Sequence, residues 1–160
     1  MKRLFHLLII FLFINPLNAK NVSCEFEEVY QNGDTHQGFF LLNNNQIRYE
    51  YYNDNLYTLL YLNEKMYIAN NSERNKIQLL HDNYDLISEL IDIYSKYPDI
   101  KSKYKFKNYE IKIEKNKNFI KRLVIKSSEL NLSIYLLNCN FNSVEKKYLN
   151  FNPIIPYVFN

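Results

Sequence analysis

Residues 36–62 read HQGFFLLNNNQIRYEYYNDNLYTLLYL, and this stretch contains the pattern that decides the fold. Three short runs rich in Phe, Tyr, Leu and Ile are separated by the polar turns 43–45 and 53–55. Aromatic and β-branched residues favour strands, whereas Asn and Asp tolerate the backbone angles of tight turns. The stretch therefore predicts consecutive antiparallel strands joined by hairpins.

The same pattern extends in both directions along the chain. Asn32-Gly33-Asp34 and Asn63-Glu64 are further turn signals. Strands are predicted at residues 22–31, 36–42, 46–52, 56–62, 65–69, 76–80, 104–106, 109–114, 119–127 and 132–141. The tail, residues 151–160, carries two prolines and is predicted to run extended along a sheet edge.

One segment, residues 83–96, breaks the strand pattern and predicts the single helix. Its apolar residues recur at helical spacing, and Asp82 can cap its start. Pro98 prevents its continuation. The predicted apolar face consists of Tyr84, Ile87, either Leu90 or Ile91, and Tyr94.

The predicted fold class is mainly β, a strongly curved antiparallel sheet (a half-open barrel) with one inserted, lid-like helix. The strands are apolar on much of both faces, as the consecutive residues 39–42 illustrate, yet one helix covers only one face. Curling of the sheet around an internal space resolves this conflict. The alternative is a closed core without a cavity, which physical considerations alone favour.

Residues 1–19 have the layout of a secretory signal peptide. Lys2 and Arg3 precede an apolar run at 4–14, and Ala19 offers a small residue at the cleavage point. Cleavage after Ala19 leaves one domain, residues 20–160. Lipid attachment at Cys24 is the less favoured alternative, because Asn21 fits a lipidation motif poorly. The expected location is outside the cytoplasm.

The charge of the chain argues against nucleic-acid binding. Its net charge is +3, and it falls to +1 once Lys2 and Arg3 leave with the signal peptide. A nucleic-acid surface needs a clustered excess of Lys and Arg, which this chain lacks.

Two cysteines, Cys24 and Cys139, lie near the two ends of the mature chain. In an oxidising compartment such a pair favours a disulfide over two buried free thiols. Closing so long a loop contributes on the order of 4 kcal/mol in the chain-entropy model.

Signals for catalysis, metals and cofactors are sparse. His36 and His81 do not have the spacing of metal ligands, and two glycines cannot build the usual phosphate-binding loop. The expectation is therefore no enzyme, no metal and no cofactor. Four strand carboxylates are expected on a solvated face instead of forming an acid–base pair; they are Glu25, Glu27, Glu28 and Glu50.

The first half of the mature chain resembles the outer-membrane lipoprotein carrier family, the LolA-like periplasmic proteins. Phe26 stands in a first strand, and Gly38-Phe39-Phe40-Leu41-Leu42 resembles the second. Ile47-Arg48-Tyr49-Glu50-Tyr51 resembles the aromatic–Arg–aromatic–Glu–Tyr strand of the family. The family's Arg-Pro turn is replaced here by Asn43-Asn44.

This resemblance implies a monomeric periplasmic carrier that shields the acyl chains of lipoproteins or related lipids for transport to the outer membrane. Its implied partners are acylated lipoproteins or lipids, an inner-membrane release complex and an outer-membrane acceptor. The alternative is an exported protein-interaction module without a lipid cavity. The expected ligand-binding residues are Phe39, Leu41, Ile47, Tyr49, Tyr51, Ile87, Leu90, Ile91 and Tyr94.

Arg48 is expected on the opposite face from Ile47 and Tyr49, because strand side chains alternate. It is either a solubilising charge or a structural tie. With Glu50 beside it, the sequence favours a tie to neighbouring strands or to the tail through carboxylate or carbonyl groups.

Overall fold

The structure is a computed structural model that describes residues 21–80, 85–96, 99–116, 119–141 and 144–153. Within these residues the protein is mainly β, with one α-helix. The elements are β1 (Asn21–Tyr30), β2 (Thr35–Asn43), β3 (Gln46–Tyr51), β4 (Tyr57–Leu62), β5 (Lys65–Asn70), β6 (Gln78–Leu80), α1 (Asp85–Ser95), β7 (Lys103–Phe106), β8 (Tyr109–Lys115), β9 (Ile120–Lys126), β10 (Asn131–Asn140) and a 3-10 helix (Lys146–Tyr148). The predicted signal peptide, the predicted cap Asp82, Tyr84 of the predicted helix face and Pro98 lie outside the described residues.

The strands form one antiparallel sheet in the order β6-β5-β4-β3-β2-β1-β10-β9-β8-β7. Two meanders, β1 to β6 and β7 to β10, meet where β1 pairs with β10. The sheet is not closed, and residues 81–102, which include α1, connect its two edge strands β6 and β7. The predicted antiparallel sheet with one helix is confirmed for the described residues.

The predicted hairpin turns carry the backbone angles that their residues suit. Asn63 and Glu64 have φ values of 50° and 61°, and positive φ at both central residues is what a two-residue type I′ turn requires. Gly33 has φ 89°, and its N–H donates to the Tyr30 carbonyl at 3.0 Å. These turns set the register of the first meander.

The two faces of the sheet have different covers. In β1, Val22, Cys24, Phe26 and Glu28 are buried on one face, in agreement with strand alternation. We call this the helix-side face, because the apolar residues of α1 pack into the same core. The opposite face is the tail-side face, because residues 144–153 pack on it.

The tail-side core is small and combines strand and tail residues. Phe39 and Leu41 of β2 pack with Val144 and Leu149, and the Asn43 side-chain amide donates to the Val144 carbonyl at 2.6 Å. We use tail here for residues 144–153, and it crosses a face of the sheet. Of the predicted edge segment 151–160, residues 151–153 are described, and the Asn152 carbonyl accepts a hydrogen bond from Arg48 of the inner strand β3, so an edge position is wrong for this part. Residues 154–160 lie outside the described residues.

A disulfide joins Cys24 of β1 to Cys139 of β10, with an S–S distance of 2.03 Å. The register of this strand pair shifts between Ser23 and Glu25, and Asn138 adopts φ 47°. Such a β-bulge re-aims the side chains beside it. Both cysteines consequently belong to the helix-side core. The bond also leaves no thiol at Cys24 for lipid attachment.

Candidate functional site

Most of the predicted ligand-binding residues lie together on the helix-side face. Ile47 and Tyr51 of β3 are buried there and Tyr49 is half-buried. Ile91 and Ile93 of α1 are buried in the same core, and Leu86 and the predicted residues Ile87, Leu90 and Tyr94 pack against it. Whether these residues bind a ligand stays a prediction.

Phe39 and Leu41 were expected in the same interior, and this placement is wrong. They pair with Glu50 and Arg48 of β3 and therefore share the tail-side face with them. The reason is that residues 39–42 are all apolar, so alternation alone does not tell which pair turns to which face. Phe40, on the helix-side face, is the residue that reaches α1, with its ring centroid 6.1 Å from that of Tyr94.

A cluster of one carboxylate and three tyrosines lies within the helix-side face. Glu28, only 3% exposed, accepts hydrogen bonds from the hydroxyls of Tyr49 at 2.7 Å, Tyr30 at 2.8 Å and Tyr51 at 2.9 Å. We call these four residues the carboxylate–tyrosine cluster. Hydrogen bonds to hydroxyl donors reduce the cost of burying the charged form of a carboxylate.

The same burial acts on the tyrosine hydroxyls. Burial raises the pKa of Tyr30, Tyr49 and Tyr51 above the ordinary tyrosine value, and the negative charge of Glu28 raises it further. The hydroxyls therefore stay protonated through the physiological range and remain hydrogen-bond donors.

Aromatic rings surround the cluster. Phe26 stacks on Tyr49 with ring centroids 4.0 Å apart, and Tyr57 meets Tyr51 edge-on at 5.0 Å. His36 pairs with Glu28 across the strands and lies 5.4 Å from the Tyr30 ring.

Phe26 lies close over Gly38, where a β-carbon would be 2.5 Å from the Phe26 ring. The same β-carbon would be 2.0 Å from the Glu50 carbonyl oxygen. Glycine at position 38 thus allows the Phe26 ring to lie against the sheet.

Glu28 differs from the buried Glu50 in lacking a cationic partner in the described part of the chain. No Lys, Arg or His among the described residues lies within ion-pair distance of Glu28. Nor do the described residues contain three His, Cys, Asp or Glu side chains grouped to hold a metal ion. Carboxylates and the faces of aromatic rings both attract cations.

A second polar cluster lies on the tail-side face and ties the tail to the sheet. The fully buried Arg48 donates from Nε to the Glu50 carboxylate at 2.7 Å. It also donates to the carbonyls of Tyr148 at 2.9 Å and Asn152 at 2.7 Å. Arg74 pairs with the other Glu50 oxygen at 2.7 Å. Arg48 thus makes the tie to carboxylate and tail that the sequence favours.

Burial lowers the pKa of the Arg48 guanidinium, and the adjacent Glu50 carboxylate opposes this shift. Arginine remains charged despite such a shift, so the pair with Glu50 is an ion pair.

The expectation that the strand carboxylates form a solvated face is wrong for Glu28 and Glu50. Both are buried, with exposures of 3% and 4%. The burial of Glu28 could have been predicted from the alternation of side chains along β1, because Glu28 lies on the same face as Cys24 and Phe26. Glu25 and Glu27 point to the other face and are half-buried.

A cavity of about 560 Å³ lies on the tail-side face, between the tail and the β4–β5 hairpin. Leu60, Leu62 and Leu149 are among its apolar lining residues, and Arg74 contributes one charge. Ile77, at its rim beside the edge strand β6, is 52% exposed. Sequence reasoning missed this cavity because the tail that forms one wall was predicted elsewhere.

In comparisons with known proteins, no protein-family model and no curated protein matched the chain. No helix in the described ranges has the length and apolarity needed to cross a bilayer.

Proposed function

We propose that this protein is an exported, periplasmic carrier or binder of acylated lipoproteins or other lipids, which holds acyl chains on the helix-side face and performs no chemistry on them. The observation that carries the proposal is that a broad apolar and aromatic sheet face has one short helix as its cover in the described residues. The sequence resemblance to lipoprotein carriers points to the same function.

The burial of the helix-side face supports a curled, half-open sheet. Ten strands spaced by about 4.8 Å would span roughly 43 Å if flat. The helix α1, at 11 residues, is only about 16 Å long and about 10 Å wide. Residues as far apart in the sheet as Met66 of β5 and Ile111 of β8 are nevertheless buried in one core. Curvature around α1 accounts for this burial.

The helix α1 has the properties of a movable cover. It packs against the sheet through apolar side chains, and an ion pair between Asp85 and Lys107 joins its first turn to the β7–β8 hairpin. Both partners are more than half exposed, and exposed ion pairs contribute little to stability.

An acyl chain must displace α1 or its side chains, because they occupy the face in this structure. At about 0.8 kcal/mol per buried CH₂ group, a sixteen-carbon chain offers roughly 12 kcal/mol to offset that displacement.

The carrier proposal includes its partners. A monomer that receives cargo from an inner-membrane release complex and passes it to an outer-membrane acceptor would need a binding face that opens and closes. A cover held mainly by apolar contacts suits that cycle, since the cargo replaces the contacts that the helix loses.

Native mass spectrometry of the exported protein, purified without detergent, tests the proposal. A lipid or acylated peptide bound at one copy per chain is the expected result. Protein that is repeatedly lipid-free and also fails to bind an acylated peptide would contradict it.

A charge insertion separates a ligand face from an ordinary core. Ile47→Asp should abolish binding of the acylated peptide while the protein remains folded, because movement of α1 away from the face would give the buried carboxylate access to water. The matched control is Gln46→Asp, on the neighbouring tail-side position. Unfolding of Ile47→Asp alone would favour the closed core, where an unpaired charge costs several kcal/mol.

The alternative function, a protein-interaction module without a lipid cavity, is favoured by one observation. The edge strand β6 exposes Leu79, and exposed Ile77 precedes it beside the tail-side cavity. An unpaired edge can accept an extended peptide as an additional strand. Leu79→Lys should abolish such binding and leave lipid binding unchanged.

A further inference from the structure

We infer that the carboxylate–tyrosine cluster is the headgroup site of the proposed lipid carrier and selects amphiphiles that carry an ammonium group. This inference rests on the proposed function and names the class of ligand. It starts from Glu28, a buried carboxylate with no cationic side chain within ion-pair distance among the described residues.

The hydrogen bonds of Glu28 leave room for a cation. A carboxylate has about four acceptor positions, and the three tyrosine hydroxyls use three of them. The hydroxyls are neutral donors, so they stabilise the carboxylate without cancelling its charge. An ammonium group would supply the missing positive charge and, where it carries N–H groups, a fourth hydrogen bond.

The rings around the carboxylate favour the same ligand. The faces of aromatic rings carry negative electrostatic potential and attract ammonium groups. Tyr51 contacts the rings of Tyr49 at 5.6 Å, Tyr57 at 5.0 Å and His36 at 5.9 Å in edge-on geometry. These contacts bring four aromatic side chains together beside the carboxylate, and an ammonium group that reaches Glu28 would lie against them.

The position of the cluster suits a headgroup better than an acyl chain. Tyr30 and Tyr51 are the last residues of β1 and β3, and Tyr57 is the first residue of β4. The cluster therefore lies at one end of these strands, where half-buried Tyr30, His36 and Tyr57 border the solvent. An acyl chain extending from this end would run along Phe26, Ile47 and the other apolar residues of the helix-side face.

Four amphiphiles with the same twelve-carbon chain test the inference: dodecylamine, dodecyltrimethylammonium, dodecanol and dodecanoate. Their affinities are measured by isothermal titration calorimetry with the full folded protein, below the micelle concentration. The two cationic compounds should bind at least about tenfold more tightly than the other two, the range expected for a desolvated cation at a carboxylate. Tetramethylammonium, which has no long chain, should bind much more weakly.

Two variants assign the selectivity to the cluster. Glu28→Gln should remove the preference, so that dodecylamine binds no more tightly than dodecanol, whereas the matched control Glu27→Gln, on the other face, should retain the preference. Tyr30→Phe removes one hydroxyl donor and should increase the affinity for dodecylamine. Circular dichroism shows whether Glu28→Gln folds. If it does not, the affinity of Tyr30→Phe for dodecylamine still tests the inference.

The outcomes separate this inference from the carrier proposal. Equal affinity for all four amphiphiles would overturn the headgroup site and leave the carrier standing. Tetramethylammonium binding as tight as that of its dodecyl analogue would overturn the headgroup assignment in favour of a small free ammonium ligand. Failure to bind any of the four compounds would overturn the headgroup site, and failure to bind the acylated peptide as well would overturn both.

Discussion

Arg48→Ala should destabilise the protein by about 3 kcal/mol without weakening lipid binding. The substitution removes a fully buried cation from Glu50 and two hydrogen bonds to tail carbonyls. Removing one partner of a buried ion pair costs about 3–5 kcal/mol. Arg74 remains bonded to Glu50 and places this case at the lower end of that range. For a domain of this size the loss corresponds to roughly 10 °C in melting temperature.

Urea unfolding followed by circular dichroism measures the effect. The matched control is Arg122→Ala, whose side chain is 30% exposed and pairs with Glu114 at 3.1 Å. Its pair with the exposed Glu114 carboxylate should contribute less than about 1 kcal/mol. Arg122 also donates to the Ser133 hydroxyl and lies over the Tyr135 ring, and we expect its total loss to stay below that of Arg48→Ala because neither contact leaves a buried charge unpaired. A loss for Arg48→Ala no larger than for the control would refute the reasoning that the tail is tied through Arg48. Weakened amphiphile binding at unchanged stability would refute the assignment of Arg48 to the tail-side face.

Three further predictions concern packing, the disulfide and pH. Gly38→Ala should cost several kcal/mol in urea unfolding or prevent folding, because its β-carbon would lie 2.0 Å from a backbone oxygen; Gly33→Ala, with open space around it, is the milder comparison. Reduction of the Cys24–Cys139 disulfide, or the double substitution Cys24→Ala and Cys139→Ala, should lower the free energy of unfolding by about 4–5 kcal/mol, because the bond closes a loop between residues 115 positions apart. Equal unfolding curves with and without reductant would contradict this. The free energy of unfolding should be constant below about pH 10 and fall as the pH rises further, because burial and the charge of Glu28 raise the pKa of Tyr49 above the value near 10 of the unfolded chain. The tyrosinate absorbance and the circular dichroism should therefore change together, and ionisation of every tyrosine while the protein is still folded would contradict this.

The local elements were predictable because their signals are local. The hairpin at Asn63-Glu64 and the single helix follow from turn chemistry and helical spacing, and both occur. The separation of Arg48 from Ile47 and Tyr49 also follows from simple alternation within one strand. Each of these features depends only on residues that lie a few positions apart in the chain.

The long-range features were not predictable from such signals. Residues 39–42 are apolar throughout, so the tail-side position of Phe39 depended on a tail whose path the sequence did not reveal. Glu28 was expected in solvent because a carboxylate is seldom buried, and its partner hydroxyls come from two strands. The candidate site therefore emerged only when the strands were placed side by side.

The seam where β1 pairs with β10 has a consequence for how the chain folds. The strands of the first meander each pair with a sequence neighbour, so β1 to β6 can assemble through short loops. The partner of β1 on its other side ends at Asn140 and becomes available last of the strands described here. Until then β1 is a long unpaired edge, the kind of surface on which partly folded chains aggregate. We therefore expect the pairing of β1 with β10 to be the slow step of folding. Once these strands have paired, the Cys24–Cys139 bond keeps them together.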